Sequence, residues 1–356
     1  MQKHGTLRGK RSQIKDALYM KEFKIGIVGG SGYIGSTLAE YLSKKFKVKI
    51  LDKSPYSKEI KAKSIEYQLC DILKYTEVEQ GLRDVDVVIH VAIVQIPLIN
   101  EHKKLGYEVN MLGTQNICRV VSETPSIKGM ILTGSWHVFG EERLEGTIDE
   151  KFGFRPDKVE DRAYLYALSK IAQEIIVRFY DRMSSKIYAT IRLGTVLGEG
   201  MPEKTAANIF ISQGLKGEPM TPYKHTMHRP MLYVDINDVC RAFEACLERI
   251  LNGEIEKGKD SLPSIVNLCW SSPITIIELA HLVQEAIIEL TKGRVRPKIE
   301  VIDKKLPILH SSRDARKVRV DIARVEKFLG LKELRNPRES IRRIIRGRLK
   351  YDSGPS

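Results

Sequence analysis

The chain has 356 residues, 42% of them apolar and 29% charged, a composition with ample material for a core that excludes wholesale disorder. Its length suits two structural units or one large α/β unit. The 59 Lys and Arg against 45 Asp and Glu give a formal charge of +14, most of it at the ends: +4 over residues 1–19 and +6 over 335–350.

In chain order, residues 1–19 carry no fold signal and read as a flexible basic extension. Phe23 to Val28 is an apolar run rich in Ile and Val, hence a buried strand, and a helical stripe follows through Leu38, Ala39, Leu42 and Phe46. Lys47 to Leu51 is a second strand ending at Asp52; Ser64 to Leu69 is a third, ending at Asp71-Ile72. Asp86 to Ala92 is a fourth, nearly continuous in apolar residues as a parallel strand should be. Residues 101–124 read as a helix, Gly129 to Leu132 as the fifth strand, 162–182 as a helix, and Lys186 to Ile191 as the sixth strand. At the far end, Asn336-Pro337-Arg338-Glu339 offers a cap, a proline and an acid for a last helix. Its apolar stripe is Ile341, Ile344, Ile345 and Leu349, with the arginines left facing water. Strands alternating with helices call for a doubly wound parallel sheet.

Other classes fall away. The richest apolar stretch, Val85 to Ile99, is broken by Asp86, His90 and Gln95, so no membrane span is expected. The basic first residues lead into no apolar signal segment, and the basic ends read as a loose arm and a solvated helix face in preference to a nucleic-acid or membrane patch. The five cysteines are scattered, without metal spacing, which points to reduced thiols in the cytoplasm and no metal site.

Two places carry chemistry. Gly29-Gly30-Ser31-Gly32-Tyr33-Ile34-Gly35 follows the first strand and opens the first helix, the order a phosphate cradle requires. Gly29 permits the sharp turn, Gly32 lets a pyrophosphate approach the backbone, and Gly35 lets helix pack on strand, with Tyr33 and Ile34 in the same cradle. Asp52, 20 residues beyond Gly32, can accept both ribose hydroxyls and repel a 2′-phosphate, which favours NAD over NADP, although Lys53 beside it offers a phosphate partner. The second place is Tyr166 and Lys170, one helical turn apart on one face. A nearby ammonium brings a phenol of ordinary pKa near 10 toward working range as a proton acceptor. Ser135, after the fifth strand, lies at the sheet edge where ligands bind and is suited to hold the same substrate oxygen.

With these residues on the page, the chain resembles the extended short-chain dehydrogenase/reductases of the nucleotide-sugar epimerase and dehydratase group. The likeness runs through Gly29 to Gly35, Asp52, Asp71-Ile72, His90-Val91-Ala92 and Asn110, then Ser135, Tyr166 with Lys170, Arg192, and Tyr233-Val234-Asp235. It implies that Tyr166 is the acid/base, that Lys170 binds the nicotinamide ribose and tunes Tyr166, and that Ser135 orients the substrate hydroxyl. It further implies that Asp71 and Ile72 flank the adenine, that Val91 and Ala92 line the dinucleotide groove, and that Asn110 supports the site. The same likeness implies a homodimer through the helices at 101–124 and 162–182. It also implies NAD-binding residues at 20–195 with about 231–270, and a substrate lobe from 196–230 with 271–350.

Absences narrow the reaction. Family dehydratases place an Asp-Glu pair where Trp136 and His137 stand, and related decarboxylases carry Glu at the place of His137. Hydride chemistry alone remains: an NAD-dependent epimerase of a nucleotide-sugar at C4, or a sugar or uronate dehydrogenase that exchanges free cofactor. Asn208 lies in a segment resembling the substrate lobe, and Arg229 sits where the family often has a phosphate-binding arginine; a surface arginine is the other reading. Thr195 replaces an Asn used near the pyrophosphate, and Trp136-His137 with Thr195 bears some likeness to uronate dehydrogenases. His137 reads either as a contact to a substrate carboxylate or hydroxyl, or as a hydrogen-bonder behind the site.

Overall fold

The β-rich runs of the sequence pair into one seven-stranded sheet in a computed structural model that describes residues 22–56, 64–257 and 264–352. The basic stretch 1–19 lies outside the described residues. The strands are β1 (Lys24–Val28), β2 (Lys47–Asp52), β3 (Ile65–Leu69), β4 (Val87–His90), β5 (Gly129–Ser135), β6 (Ile187–Leu193) and β7 (Ile265–Leu268), in the order β3-β2-β1-β4-β5-β6-β7. β1 pairs in parallel with β2 on one side and β4 on the other, β2 with β3, and β4 with β5. β4 is buried at every position, as a strand covered on both faces must be. The order reverses at β1, so the crevice of this doubly wound sheet opens beyond its carboxyl end, where the glycine turn stands.

The chain divides into two compact units. The first takes residues up to 133, then 172–190 and 243–264. Its core gathers Val28, Leu51, Val88, Met130 and Leu132 from strands, with Val78 and Leu82 of α2 (Tyr75–Leu82) and Ile117, Val120 and Val121 of α3 (Thr114–Glu123). α1 (Tyr33–Leu42) follows the glycine turn. The helix expected at 101–124 is interrupted: one wide π turn at Glu108–Gly113 joins α3 to shorter helical pieces. α4 (Tyr164–Met183) starts and ends within two residues of its expected bounds.

The second unit takes residues 134–171, 191–242 and 265–356. Residues 134–171, assigned by sequence to the cofactor-binding part, cluster here. α5 (Ala206–Leu215), α7 (Ile276–Leu290) and α8 (Pro337–Asp352) pack together, while α6 is Ile236–Leu251. Asn336 caps α8, its Oδ1 accepting the Arg338 N–H at 3.0 Å, and Ile341, Ile344 and Ile345 are fully buried. The arginines of α8 do more than face water. Arg338 and Arg342 pair with Glu285 and Glu289 of α7, and Arg343 reaches the buried Asp235 at 2.8 Å. Long guanidinium side chains find these carboxylates because α7 runs alongside.

Candidate active site

The turn after β1 is built as the glycines required. Gly29 has φ +86°, and a Cβ there would stand 2.4 Å from the Ala92 nitrogen; a Cβ on Gly35 would stand 2.4 Å from the Gly29 carbonyl oxygen. Gly32 differs, for a Cβ on it would meet only the Gly29 oxygen at 3.6 Å. Space is therefore left above Gly32, at the start of α1, whose first turn, with Tyr33 and Ile34, has no side-chain cap and no acid. Val91 and Ala92 both donate their N–H to the Val28 carbonyl, fixing the chain beside this turn. Asp52 is held by the turn itself: Oδ2 accepts the Ser31 N–H and Oδ1 the Ser54 N–H, both at 2.9 Å. Each oxygen keeps a lone pair for a ribose hydroxyl.

Lys53 Nζ lies 3.0 Å from Asp71 Oδ2. The amine that the sequence offers to a 2′-phosphate beside Asp52 thus has a carboxylate partner already. Burial raises the Asp71 pKa, but the Leu73 N–H and Lys53 outweigh it and hold the carboxyl below its usual range. Ile72 is buried against Gly113. Asn110, fully buried on the π turn, grips one residue of backbone, accepting the Val94 N–H at 2.7 Å and donating to the Val94 carbonyl at 3.2 Å. It shapes the segment that follows β4. A dinucleotide pyrophosphate fits the open start of α1, and its ribose fits Asp52.

In the second unit, β5 ends on Ser135, which caps a short 3₁₀ turn, Trp136–Phe139. Its Oγ accepts the His137 N–H at 3.3 Å and lies 3.1 Å from His137 Nδ1, beside Tyr166. The imidazole meets the Tyr166 ring edge to face, with centroids 5.4 Å apart. Lys170, one turn further along α4, is buried. Burial pushes the Tyr166 phenol up to about 12, partly opposed by Ser135, and pushes the Lys170 ammonium down to about 7. Trp136 is itself buried and donates from Nε1 to Thr195 Oγ1 at 3.3 Å, so these two hold each other.

Behind His137 lies a group the sequence did not single out. His137 Nε2 is 3.7 Å from the fully buried Glu141, which Arg162 Nη2 also meets, at 2.9 Å. Arg162 also meets Glu160 at 3.0 Å, and His310 Nε2 lies 3.2 Å from Glu160 Oε1. Arg229 clasps both oxygens of Glu160 with Nε and Nη2. Burial opposes ionisation of Glu160, but His310, Arg229 and Arg162 together draw its pKa down to about 2. The arginine expected to hold a phosphate is thereby engaged by a carboxylate of its own chain. Asn208, on α5, donates to the Met201 carbonyl, accepts from Arg348 at 2.7 Å, and lines a cavity of about 720 Å³ with Ser212, Gln213 and Lys216.

Comparison with known proteins gives a consistent picture. Residues 25–263 match the model of the NAD dependent epimerase/dehydratase family. A protein of Methanocaldococcus jannaschii provisionally named UDP-glucose 4-epimerase is 30% identical over 226 residues, 61% of this chain and 70% of that one. UDP-glucuronic acid decarboxylase 3 of Arabidopsis thaliana is 24% identical over 317 residues, 86% of this chain and 83% of its own. Among solved structures, the UDP-glucose 4-epimerase of Thermus thermophilus in complex with NAD superposes with a TM-score of 0.70 over 91% of this chain and 99% of its own, at 21% identity, a likeness of fold.

Proposed function

The chain belongs to the NAD-dependent epimerase/dehydratase family, and on that footing we propose that it is an epimerase of a nucleotide-sugar, inverting the carbon at C4. The observation that carries this reading is Ser135 and Tyr166 both set against the His137 ring, with Lys170 buried one turn on and no carboxylate at positions 136 and 137. Gly29, Gly32, Tyr33, Ile34, Gly35 and Asp52 would hold NAD by its pyrophosphate and ribose, with Asp71, Ile72, Val91 and Ala92 along it. Bound NAD supplies a hydride acceptor. Tyr166 takes the proton of the sugar hydroxyl and later returns it; Lys170 favours the phenolate; Ser135 holds the oxygen in line. Without acids at 136 and 137, the chain has nothing placed there to expel water or drive loss of carbon dioxide. The nucleotide part of the chain would be 20–195 with about 231–270, and the substrate lobe 196–230 with 271–350. Purified protein should release NAD on denaturation and interconvert C4 epimers of a uridine, guanosine or thymidine diphosphate-sugar with no cofactor added.

A second reading, a sugar or uronate dehydrogenase, is favoured by one observation: Arg229 is bound to Glu160, which leaves a phosphate to compete with a buried carboxylate. Stoichiometric NADH release that depends on added NAD selects this reading. The family likeness further supports a homodimer, for Tyr107, Leu112, Ile175, Phe179 and Met183 are exposed apolar residues on the two helical segments concerned.

A further inference from the structure

The residue after the catalytic serine's neighbour has no obvious task in the reaction, yet it is built into the site more firmly than a bystander needs. His137 reaches Ser135 through both its backbone N–H and its ring, sits edge to face with Tyr166, and turns its far nitrogen toward Glu141. Glu141 has no exposed surface and is fixed by Arg162 at 2.9 Å and by the Glu160 N–H at 3.3 Å. We propose that His137 is a positioning residue that sets the direction of the Ser135 hydroxyl: it carries its proton on Nε2, facing Glu141, and accepts the Ser135 O–H on Nδ1.

The argument is one of donors and acceptors. A neutral imidazole has one of each, and a carboxylate can only accept. With Glu141 on the Nε2 side, the proton belongs on Nε2 and the lone pair on Nδ1. The nearest donor to that lone pair is the Ser135 hydroxyl. Once its proton is committed there, the Ser135 oxygen is left with lone pairs, turned to accept a hydroxyl proton. Tyr166 is then the single group that gives or takes the proton of the reaction. This deepens the reading of Tyr166 as acid/base and rests on it.

A relay that carries the phenol proton out through Ser135 onto His137 is disfavoured. Burial holds the imidazole down to about 4, with Glu141 opposing and Arg162 and Arg229 adding to the shift, and Glu160 opposing again. A phenol that burial pushes up would have to charge an imidazole that burial holds down, a strongly uphill transfer. A ring held down in this way is suited to act as a neutral imidazole, through Ser135.

The tautomer is read directly by nitrogen-15 NMR of the histidine rings in the intact protein without substrate, His137 being assigned as the signal lost in His137→Asn. The expected result is a pyridine-type Nδ1 that shifts in Ser135→Ala, a pyrrole-type Nε2, and no titration between pH 8 and 5. A pyrrole-type Nδ1, or titration near the ordinary value for histidine, overturns the proposal whatever the substrate proves to be. In turnover, His137→Leu should lower kcat about tenfold with KM little changed. His137→Asn, whose side-chain oxygen can take the place of Nδ1, should recover most of that loss, and His137→Gln, whose amide falls at the place of Nε2, should not. Equal activity in the Leu and Asn variants, each still binding NAD, would sink the role assigned to Nδ1. Absence of activity in wild type on every nucleotide-sugar would instead sink the epimerase reading and leave the NMR result standing.

Discussion

A phenol that burial pushes up to about 12 does not ionise unaided at neutral pH, so Tyr166 depends on the charges brought beside it. Lys170 is the chain's own contribution, and burial has brought its pKa down to about 7, where a bound partner decides its charge. Removing only the phenol oxygen tests the assignment. Tyr166→Phe should lower turnover by about 10²–10⁴-fold while NAD still binds, measured by single-turnover kinetics and by cofactor retained on gel filtration. Glu160 makes a prediction of the opposite kind, about stability. Its folded pKa is about 2 against an ordinary 4.5. A depressed carboxylate contributes stability above its unfolded pKa and loses it as pH falls toward the folded one, here worth about 3 kcal/mol. Glu160→Gln should therefore lower the unfolding free energy by about 3–5 kcal/mol at pH 7, since Arg229 loses its buried partner. The gap between variant and wild type should stay flat down to pH 5 and narrow between about pH 4.5 and 2, as urea titrations at several pH values would report. A gap independent of pH would assign the loss to packing.

At the scale of elements, the turn from β1 to α1 separates what folding needs from what a ligand needs. Gly35→Ala drives a methyl to within 2.4 Å of backbone and should destabilise the protein outright. Gly32 sits at φ −74° and ψ 173°, which any residue adopts, and has open space above it. Gly32→Ala should therefore be neutral or stabilise by about 0.4–1 kcal/mol while weakening NAD binding more than tenfold, because the methyl stands where a pyrophosphate would approach. Thermal unfolding and calorimetric titration of the same sample separate the two effects; unimpaired NAD binding would move the phosphates elsewhere. These elements were legible because their signals are local: apolar runs placed β1 to β6 with ends off by at most three residues, the largest miss being the end of β5 at Ser135, and the Asn-Pro pair marked the start of α8. The π turn at Glu108–Gly113 was not, since one extra residue in a helical turn leaves the apolar pattern almost unchanged, though it is what aims Asn110 at Val94. Nor was the Glu160 cluster. Arg229 and His310 stand 69 and 150 residues away in sequence, and only the fold brings them to one carboxylate. For the same reason Arg229 reads from sequence as available to a phosphate.

For the whole molecule, the +6 of residues 335–350 is offset locally, because Arg338, Arg342 and Arg343 of α8 lie against Glu285, Glu289 and Asp235. What the surface does present is apolar. Ile175, Phe179 and Met183 follow one another at intervals of four along α4 and are 51%, 57% and 71% exposed, a stripe on one helical face with no cover among the described residues. Leu112 and Tyr107 add 57% and 47% on the helical segment before α3. Single exposed apolar residues are ordinary, but a helical stripe of three large ones is what the proposed dimer contact would need. A stable dimer needs roughly 800 Å² from each partner, and aromatic and Met side chains near the centre of such a patch supply most of the affinity. Charge placed at the middle of the stripe should then act on assembly before it acts on folding. Phe179→Glu with Met183→Glu is expected to turn a dimer into a monomer of 40.5 kDa in sedimentation velocity with little change in unfolding of the dissociated chain. Wild type that already sediments as a monomer at micromolar concentration would reserve this stripe for a different partner.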